Sequence, residues 1–258
     1  MFDFTLWIHA LGALLVVAVI GWLISLPLRN VSLVDSIWSL KFLLCAALYV
    51  AAQAEAAPRA RLMLVLVGIW AVRLALHITW RNRGHGEDRR YQQIRRNNEP
   101  GFAYKSLYIV FGLQALLAWV ISLPLLASAT GNAPLGWLDA LGVVLWVVGF
   151  MFEAGGDWQL ARFTADPANK GKVMDRGFWA WTRHPNYFGD ACAWWGLGVL
   201  GLAAGGWWSV PGPLLMTLLL LKVSGVSLLE KDIGERRPGY ADYVRRTSAF
   251  LPRPPRRN

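Results

Sequence analysis

The sequence predicts an all-α, polytopic membrane protein, a helical bundle of about seven transmembrane helices. Hydrophobic residues make up 55% of the 258 residues and charged residues only 16%, a composition typical of chains that lie largely in lipid. Apolar stretches of about 20 residues, the length that crosses a hydrocarbon core, recur along the chain. We therefore expect a single integral-membrane domain over residues 1–258.

The predicted spans follow one another through polar connections, several of them short. They cover residues 5–26, 33–52, 62–80, 106–127, 135–152 with a continuation to 163, 187–204 and 207–226. The short links at 27–32, 128–134 and 205–206 favour antiparallel packing of neighbouring helices. No cleavage site with small residues follows the first span, so we expect it to be retained rather than removed as a signal peptide.

Lys and Arg residues predict the orientation of the spans, because cytoplasmic connections carry an excess of them. Most of the 26 lie in the segments 81–105, 162–183 and 231–257, and only Arg59 and Arg61 lie on the opposite side. An odd number of spans then places the N-terminus outside and the C-terminus in the cytoplasm. The net charge of +10 is expected to reflect these connections, with the lipid bilayer and not nucleic acid as the partner.

The arginines of one connection, Arg89, Arg90, Arg95 and Arg96, are expected to neutralise anionic lipid headgroups. The two cysteines, Cys45 and Cys192, lie in apolar segments outside any CxxC pattern. Neither a disulfide nor a metal site is therefore expected.

Three predicted spans carry polar residues at helical spacing near their cytoplasmic ends. These are Arg73, His77 and Arg81 on the third, Glu153, Asp157 and Arg162 on the fifth, and Asn186 and Asp190 on the sixth. Residues four apart share a helix face, and ionisable groups inside a membrane are costly unless they serve a site. We expect one site open to the cytoplasm, most of it within residues 135–258. The alternative is a structural role in pairing helices or reaching headgroups.

The residue types of this site favour a nucleotide cofactor. Arg73, Arg81, Lys172 and Arg176 offer cationic donors that match phosphate oxygens. The carboxylates and the Asn186 amide suit ribose hydroxyls and a carboxamide. No GxGxxG follows a strand and no GxxxxGK occurs, so helix faces and loops would have to hold the nucleotide.

Several stretches of the chain resemble the steroid 5α-reductase superfamily. They include TRHPNYFGDACAWWG at 182–196 and KVSGVSLLEKDIGERRPGYADYVRRTSAFLPRPP at 222–255. With VDSIW near Val34 and RGHGEDRRY near Arg83, the whole chain more closely resembles the bacterial DUF1295 branch. The resemblance implies a seven-helix protein of the bacterial inner membrane. It would bind NADPH from the cytoplasm and reduce a carbon–carbon double bond conjugated to a ketone.

The resemblance also implies which residues contact the cofactor. Asn186 and Asp190 match an Asn followed by an acid, and Glu153 and Asp157 match a polar pair whose first member is Asn in the reductases. Lys172, Arg73 and His77 fall at further cofactor positions. In the tail, where the register is looser, the matching residues are Tyr240, Tyr243 and Arg246.

Reduction of an enone produces an enolate, which needs a hydrogen-bond donor in a dry cavity. The reductases supply it from a Glu early in the second span and a Tyr on the third. Asp35 lies in the first of these places and is expected to act as the acid, unless it only caps a helix. Trp70 occupies the second, and its indole N–H can donate a hydrogen bond but no proton. The resemblance implies an apolar enone, steroid-like or isoprenoid-like, as the substrate.

Two other functions remain open. The RHPNY pattern also resembles membrane isoprenylcysteine carboxyl methyltransferases, which bind S-adenosylmethionine. That cofactor carries no phosphate, so the arginines favour NADPH over it. A non-catalytic lipid-binding membrane protein is the third possibility.

Overall fold

The computed structural model describes residues 2–223 and 239–255. They divide into two compact units. Unit 1 contains the described residues of Met1–Gly136 and Leu200–Gly212, and unit 2 those of Trp137–Val199 and Pro213–Asn258. Every regular element in the described part of the chain is helical, which confirms the predicted all-α class.

Unit 1 is built from a long first helix and a series of helices that pack beside it. They are α1 (Phe4–Leu28), α2 (Leu33–Ser36), α3 (Trp38–Ala51), α4 (Pro58–Asn82), α5 (Arg89–Asn98), α6 (Phe102–Ser106), a π-helical turn (Leu107–Gly112), α7 (Leu113–Ile121) and α8 (Leu123–Thr130). Helix α3 packs against α4, and α1 packs against α7. Its core consists of apolar and aromatic side chains such as Leu14, Phe42, Met63, Trp70 and Phe111.

Helix α5 was not among the predicted spans, because its residues 89–98 are mostly charged or polar. It begins after Asp88, whose carboxylate accepts a hydrogen bond from the Arg90 N–H, a normal N-cap contact. Two hydrogen bonds tie its start to the α1–α2 connection. The Asp88 N–H donates to Ser32 Oγ at 2.8 Å, and the Val31 N–H donates to Glu87 Oε1 at 3.0 Å. These contacts hold α5 against α2.

Unit 2 is organised around two long helices, α9 and α11. Its elements are α9 (Trp137–Ala165), a 3-10 turn (Pro167–Asn169), α10 (Phe178–Trp181), α11 (Pro185–Ala203), α12 (Pro211–Leu218), a π-helical turn (Leu219–Val223) and α13 (Tyr240–Arg246). The last residues of α11 and the first of α12 belong to unit 1.

Glycines let α9 and α11 approach until their backbones touch. A Cβ atom on Gly149 would lie 2.3 Å from Ala193 N, and one on Gly189 would lie 2.3 Å from Glu153 N. A Cβ atom on Gly196, seven residues after Gly189, would likewise lie 2.6 Å from Gly142 O. Such contacts exclude any larger residue, as at the small-residue crossings of membrane helices. The contact fixes the relative positions of the polar residues along it.

Among the described residues, five helical stretches are long and apolar enough to cross a membrane. They are Phe4–Leu28, Leu33–Ala51, Pro58–Asn82, Phe102–Ile121 and Trp137–Ala165, and they coincide with the first five predicted spans. The sixth predicted span is helical, as α11, but is not among the five. The seventh coincides with α12 and the following turn, and its residues 224–226 lie outside the described residues. The fold fits a multi-pass helical membrane protein in a lipid bilayer.

Candidate functional site

Four of the predicted cofactor residues lie along the α9–α11 contact of unit 2. Glu153 and Asp157 on α9 and Asp190 on α11 are buried, Glu153 being 2% exposed. Asn186, in the first turn of α11, is half-buried. Its Nδ2 donates to Asp157 Oδ1 at 3.2 Å, so the structure brings together two residues that are far apart in sequence.

The oxygen of the Asn186 side-chain amide is placed as expected of a group that binds a ligand. Its Oδ1 atom is buried and accepts a hydrogen bond from no described residue. Leaving a buried polar oxygen without a donor costs free energy. A ligand that carries an amide or hydroxyl donor would remove this cost, so the residue fits a cofactor carboxamide or ribose.

The start of α11 is held in place by its neighbours in unit 2. A Cβ on Gly156 would lie 3.1 Å from Pro185 Cγ and 3.3 Å from Asn186 N. The Trp179 indole on α10 donates to Gly156 O at 3.0 Å. Pro185 is the first residue of α11, where its missing N–H costs nothing. Asn186 is thereby positioned by backbone contacts rather than by a mobile loop.

Arginines 162 and 176 line a cavity of about 430 Å³ in unit 2. The Arg162 guanidinium lies 4.9 Å from the centre of the Trp158 ring, and that of Arg176 lies 5.6 Å from the Phe163 ring. These cation–π contacts leave the guanidinium edges open to an anion. Lys172, predicted for the same purpose, is exposed and does not line this cavity.

The three tail residues lie on α13, and two of them contact the segment before α11. The buried Tyr243 hydroxyl donates to Trp179 O at 2.5 Å, and Arg246 pairs with Asp175. Burial raises the pKa of Tyr243 above its usual value. Tyr240 is also buried. The contacts of Tyr243 and Arg246 hold α13 in unit 2. A role of the three tail residues at the cofactor stays a prediction.

A second polar cluster, in unit 1, surrounds Asp35. Its Oδ1 atom accepts a hydrogen bond from the Tyr91 hydroxyl at 2.6 Å, and its Oδ2 atom accepts one from Arg90 at 2.8 Å. Gln114 Nε2 lies 3.3 Å from the Tyr91 hydroxyl oxygen and 3.4 Å from Asp35 Oδ1. Lys41 Nζ donates to Gln114 Oε1 at 2.9 Å. Helices α2, α3, α5 and α7 each contribute to one continuous network.

This network surrounds Asp35 with hydrogen-bond donors. They are side chains, so Asp35 is not a helix cap. Both of its oxygens accept hydrogen bonds, one of them in an ion pair, and its role as the acid stays a prediction. The proton of the short hydrogen bond to Asp35 belongs to the hydroxyl of Tyr91, a residue that is 7% exposed. Burial and the Asp35 carboxylate raise the pKa of the Tyr91 phenol, so the phenol stays protonated as a donor.

Sequence reasoning did not identify Tyr91, Arg90, Lys41 or Gln114. Arg90 and Arg95, expected to face headgroups, instead pair with Asp35 at 2.8 Å and with Glu87 at 2.8 Å. One feature of the sequence does point to Arg90: a carboxylate in a membrane span, such as Asp35, needs a nearby cation. The RGHGEDRRY stretch contains several arginines.

The predicted residues of α4 differ in their surroundings within unit 1. Trp70 is buried in the core with its ring edge-on to Phe42, 5.8 Å between centroids. Arg73 and His77 are half-buried, and Arg81 is exposed. Arg81 lines a polar cavity at the end of α4. A catalytic role for Trp70 stays a prediction.

Comparison with known proteins identifies a family. The model of the family described as "Protein of unknown function (DUF1295)" matches residues 21–247. No curated protein and no solved structure matches the chain. Because the match covers most of the chain, together with the helical membrane fold, this protein belongs to the DUF1295 family.

Proposed function

We propose that this protein is an NADPH-dependent reductase of the bacterial inner membrane that transfers hydride to the double bond of an apolar enone, a steroid-like or isoprenoid-like lipid. The observation that carries the proposal is the 2.6 Å hydrogen bond from Tyr91 to Asp35. It lies in a network that includes Lys41, which is 1% exposed, on a helix apolar enough to span a membrane. Ionisable groups at such depth usually serve function.

The proposed reaction needs a cofactor-binding site and a proton donor. NADPH, when bound, supplies the hydride for the β-carbon of the enone. Asn186 and Asp157 offer the acceptors and the amide that a carboxamide and ribose require. Before the enone binds, Asp35 holds the Tyr91 hydroxyl in position. With the enone bound, the single O–H of Tyr91 turns from Asp35 to the carbonyl oxygen, donates a hydrogen bond there and then gives its proton to the enolate. Arg90 and Lys41 offset the negative charge left on the phenolate.

The arginines favour NADPH over S-adenosylmethionine as the cofactor. Arg162 and Arg176 have no carboxylate partner among the described residues and both line one cavity. A cofactor with phosphates would use such cations, whereas cationic S-adenosylmethionine would be repelled.

Analysis of the cofactor that copurifies with the protein tests the proposal. We expect NADP(H) in extracts of the detergent-purified protein, identified by mass and by absorbance. Recovery of S-adenosylmethionine would instead support a methyltransferase. If neither copurifies and neither binds when added, a non-catalytic lipid-binding role remains.

The proposed orientation has the N-terminus outside and the C-terminus in the cytoplasm. It follows from the distribution of Lys and Arg. Reporter fusions at each end test it, and activity of a periplasmic reporter at the C-terminus would contradict it.

A further inference from the structure

A large polar cavity opens in unit 1 where α4 ends and α5 begins. Its volume is about 870 Å³. Arg81 and Arg83 line it from the end of α4, and His85 and Arg89 line it from the connection to α5. Apart from Leu33, its lining is polar or glycine. The cavity lies at the polar end of a helix long and apolar enough to span a membrane, which is where lipid headgroups lie.

The charges in this cavity are unbalanced in favour of cations. Its two carboxylates already have arginine partners: Glu87 pairs with Arg95 at 2.8 Å and Asp88 with Arg90 at 3.0 Å. By contrast, Arg83 and Arg89 form no ion pair with any residue in the described part of the chain. Both are exposed, so their guanidinium groups are accessible to an anion.

An apolar stripe on α4 marks the face of this helix that is suited to contact lipid. Its members are the exposed side chains of Val65, Ile69, Val72, Leu76 and Trp80. Their spacing of three or four residues puts them on one face of the helix. The stripe ends at Trp80, which is 63% exposed and of the residue type that prefers the headgroup level. Arg83 follows three residues later, directly after the last residue of α4, and therefore lies near the same level along the helix.

We propose that this cavity binds the headgroup of an anionic phospholipid. The phosphate contacts Arg83 and Arg89, which can each offer two parallel N–H donors. The acyl chains extend from this level into the surrounding lipid. A soluble anion would use the arginines alone, and a zwitterionic lipid would gain less from the arginines. The proposal is independent of the proposed reductase activity.

Lipid binding to the full chain in detergent tests the proposal. Native mass spectrometry would compare phosphatidylglycerol with phosphatidylcholine, with inorganic phosphate as competitor. The double variant Arg83→Gln/Arg89→Gln removes the proposed contacts. Arg61→Gln/Arg253→Gln is the matched control, because it removes the same charge at two exposed arginines that do not line the cavity.

We expect wild type to bind phosphatidylglycerol in preference to phosphatidylcholine. The cavity variant should lose about tenfold or more of its phosphatidylglycerol affinity, and the control variant should keep it. Equal losses in both variants would mean that only total charge matters, and would overturn the proposal. Equal binding of phosphatidylcholine would also overturn it. Displacement by inorganic phosphate would reassign the cavity to a soluble anion. A loss of NADPH binding in the cavity variant, with lipid binding intact, would reassign it to the cofactor.

Discussion

At the level of single residues, the proposed chemistry depends on the groups that surround Asp35. Tyr91 and Arg90 donate to its two oxygens, and Gln114 connects the pair to Lys41. Removing one member of a buried polar network leaves the others without partners, which costs more than one hydrogen bond is worth. Substitutions that keep the shape of the side chain are therefore the informative ones.

Tyr91→Phe removes only the hydroxyl that donates to Asp35. If this hydroxyl is the proton donor, turnover of an enone should fall by about 100-fold or more, while NADPH binding stays unchanged. The measurement is oxidation of NADPH by the purified protein with a lipid enone. Tyr108→Phe is the control, since Tyr108 is 62% exposed. Turnover by the Tyr91 variant within a few-fold of wild type would remove Tyr91 from the mechanism.

The sequence predicts some of these residues and not others, for a physical reason. Asp35 is found because the resemblance implies an acid early in the second span. Asn186 and Asp157 are each found from helical spacing and from the resemblance. Tyr91 and Arg90 are missed because their inward orientation results from the docking of α5 on α2, a tertiary contact. Helical periodicity within one segment carries no information about such a contact.

At the scale of helices, the glycine contact between α9 and α11 positions the predicted cofactor residues. Gly149 and Gly189 face backbone atoms of the opposite helix at distances too short for any side chain. The glycines are visible in the sequence, but which of them meet depends on how the helices cross.

Gly189→Ala should therefore destabilise the protein. The added methyl group would lie 2.3 Å from Glu153 N, and the helices would have to separate at a cost of about 1–3 kcal/mol. Thermal unfolding in detergent should show a lower Tm. Gly12→Ala is the matched control, because a Cβ there meets nothing within 4 Å. A Tm for Gly189→Ala equal to that of the control would contradict the close crossing.

The docking of α5 should depend on pH through Glu87. Burial alone would raise the pKa of Glu87, but hydrogen bonds from Arg95 and the Val31 N–H, together with the Arg95 charge, lower it overall. An acid with a lowered pKa stabilises the folded state above the pKa of the unfolded chain. The contribution is lost as pH falls through the folded-state pKa.

Glu87→Gln should therefore lower the Tm at neutral pH, and the difference from wild type should shrink as the pH falls below the usual range of Glu. Thermal unfolding over a pH series measures this. Glu55→Gln, at an exposed position, should follow wild type throughout. If the Tm difference between Glu87→Gln and wild type stayed constant with pH, Glu87 would act through the shape of its side chain rather than its charge.

At the scale of the whole molecule, sequence reasoning predicts the membrane fold best. The first five predicted spans coincide with helices apolar enough to cross a bilayer, because lipid imposes length and composition directly on the sequence. The charged connection that forms α5 obeys no such constraint, so its helix was not predicted. The same constraint explains why the fold class follows from composition while the polar clusters require tertiary structure.

The proposed function requires that the molecule bind NADPH through Asn186 and Asp157. Titration of the purified, cofactor-free protein with NADPH, followed by fluorescence, measures this binding. We predict saturable binding to wild type that Asn186→Ala weakens by about tenfold, the typical value of a hydrogen bond to a buried polar group. Asn98→Ala, on α5, should bind as wild type does. Saturable binding of S-adenosylmethionine with no binding of NADPH would contradict the account.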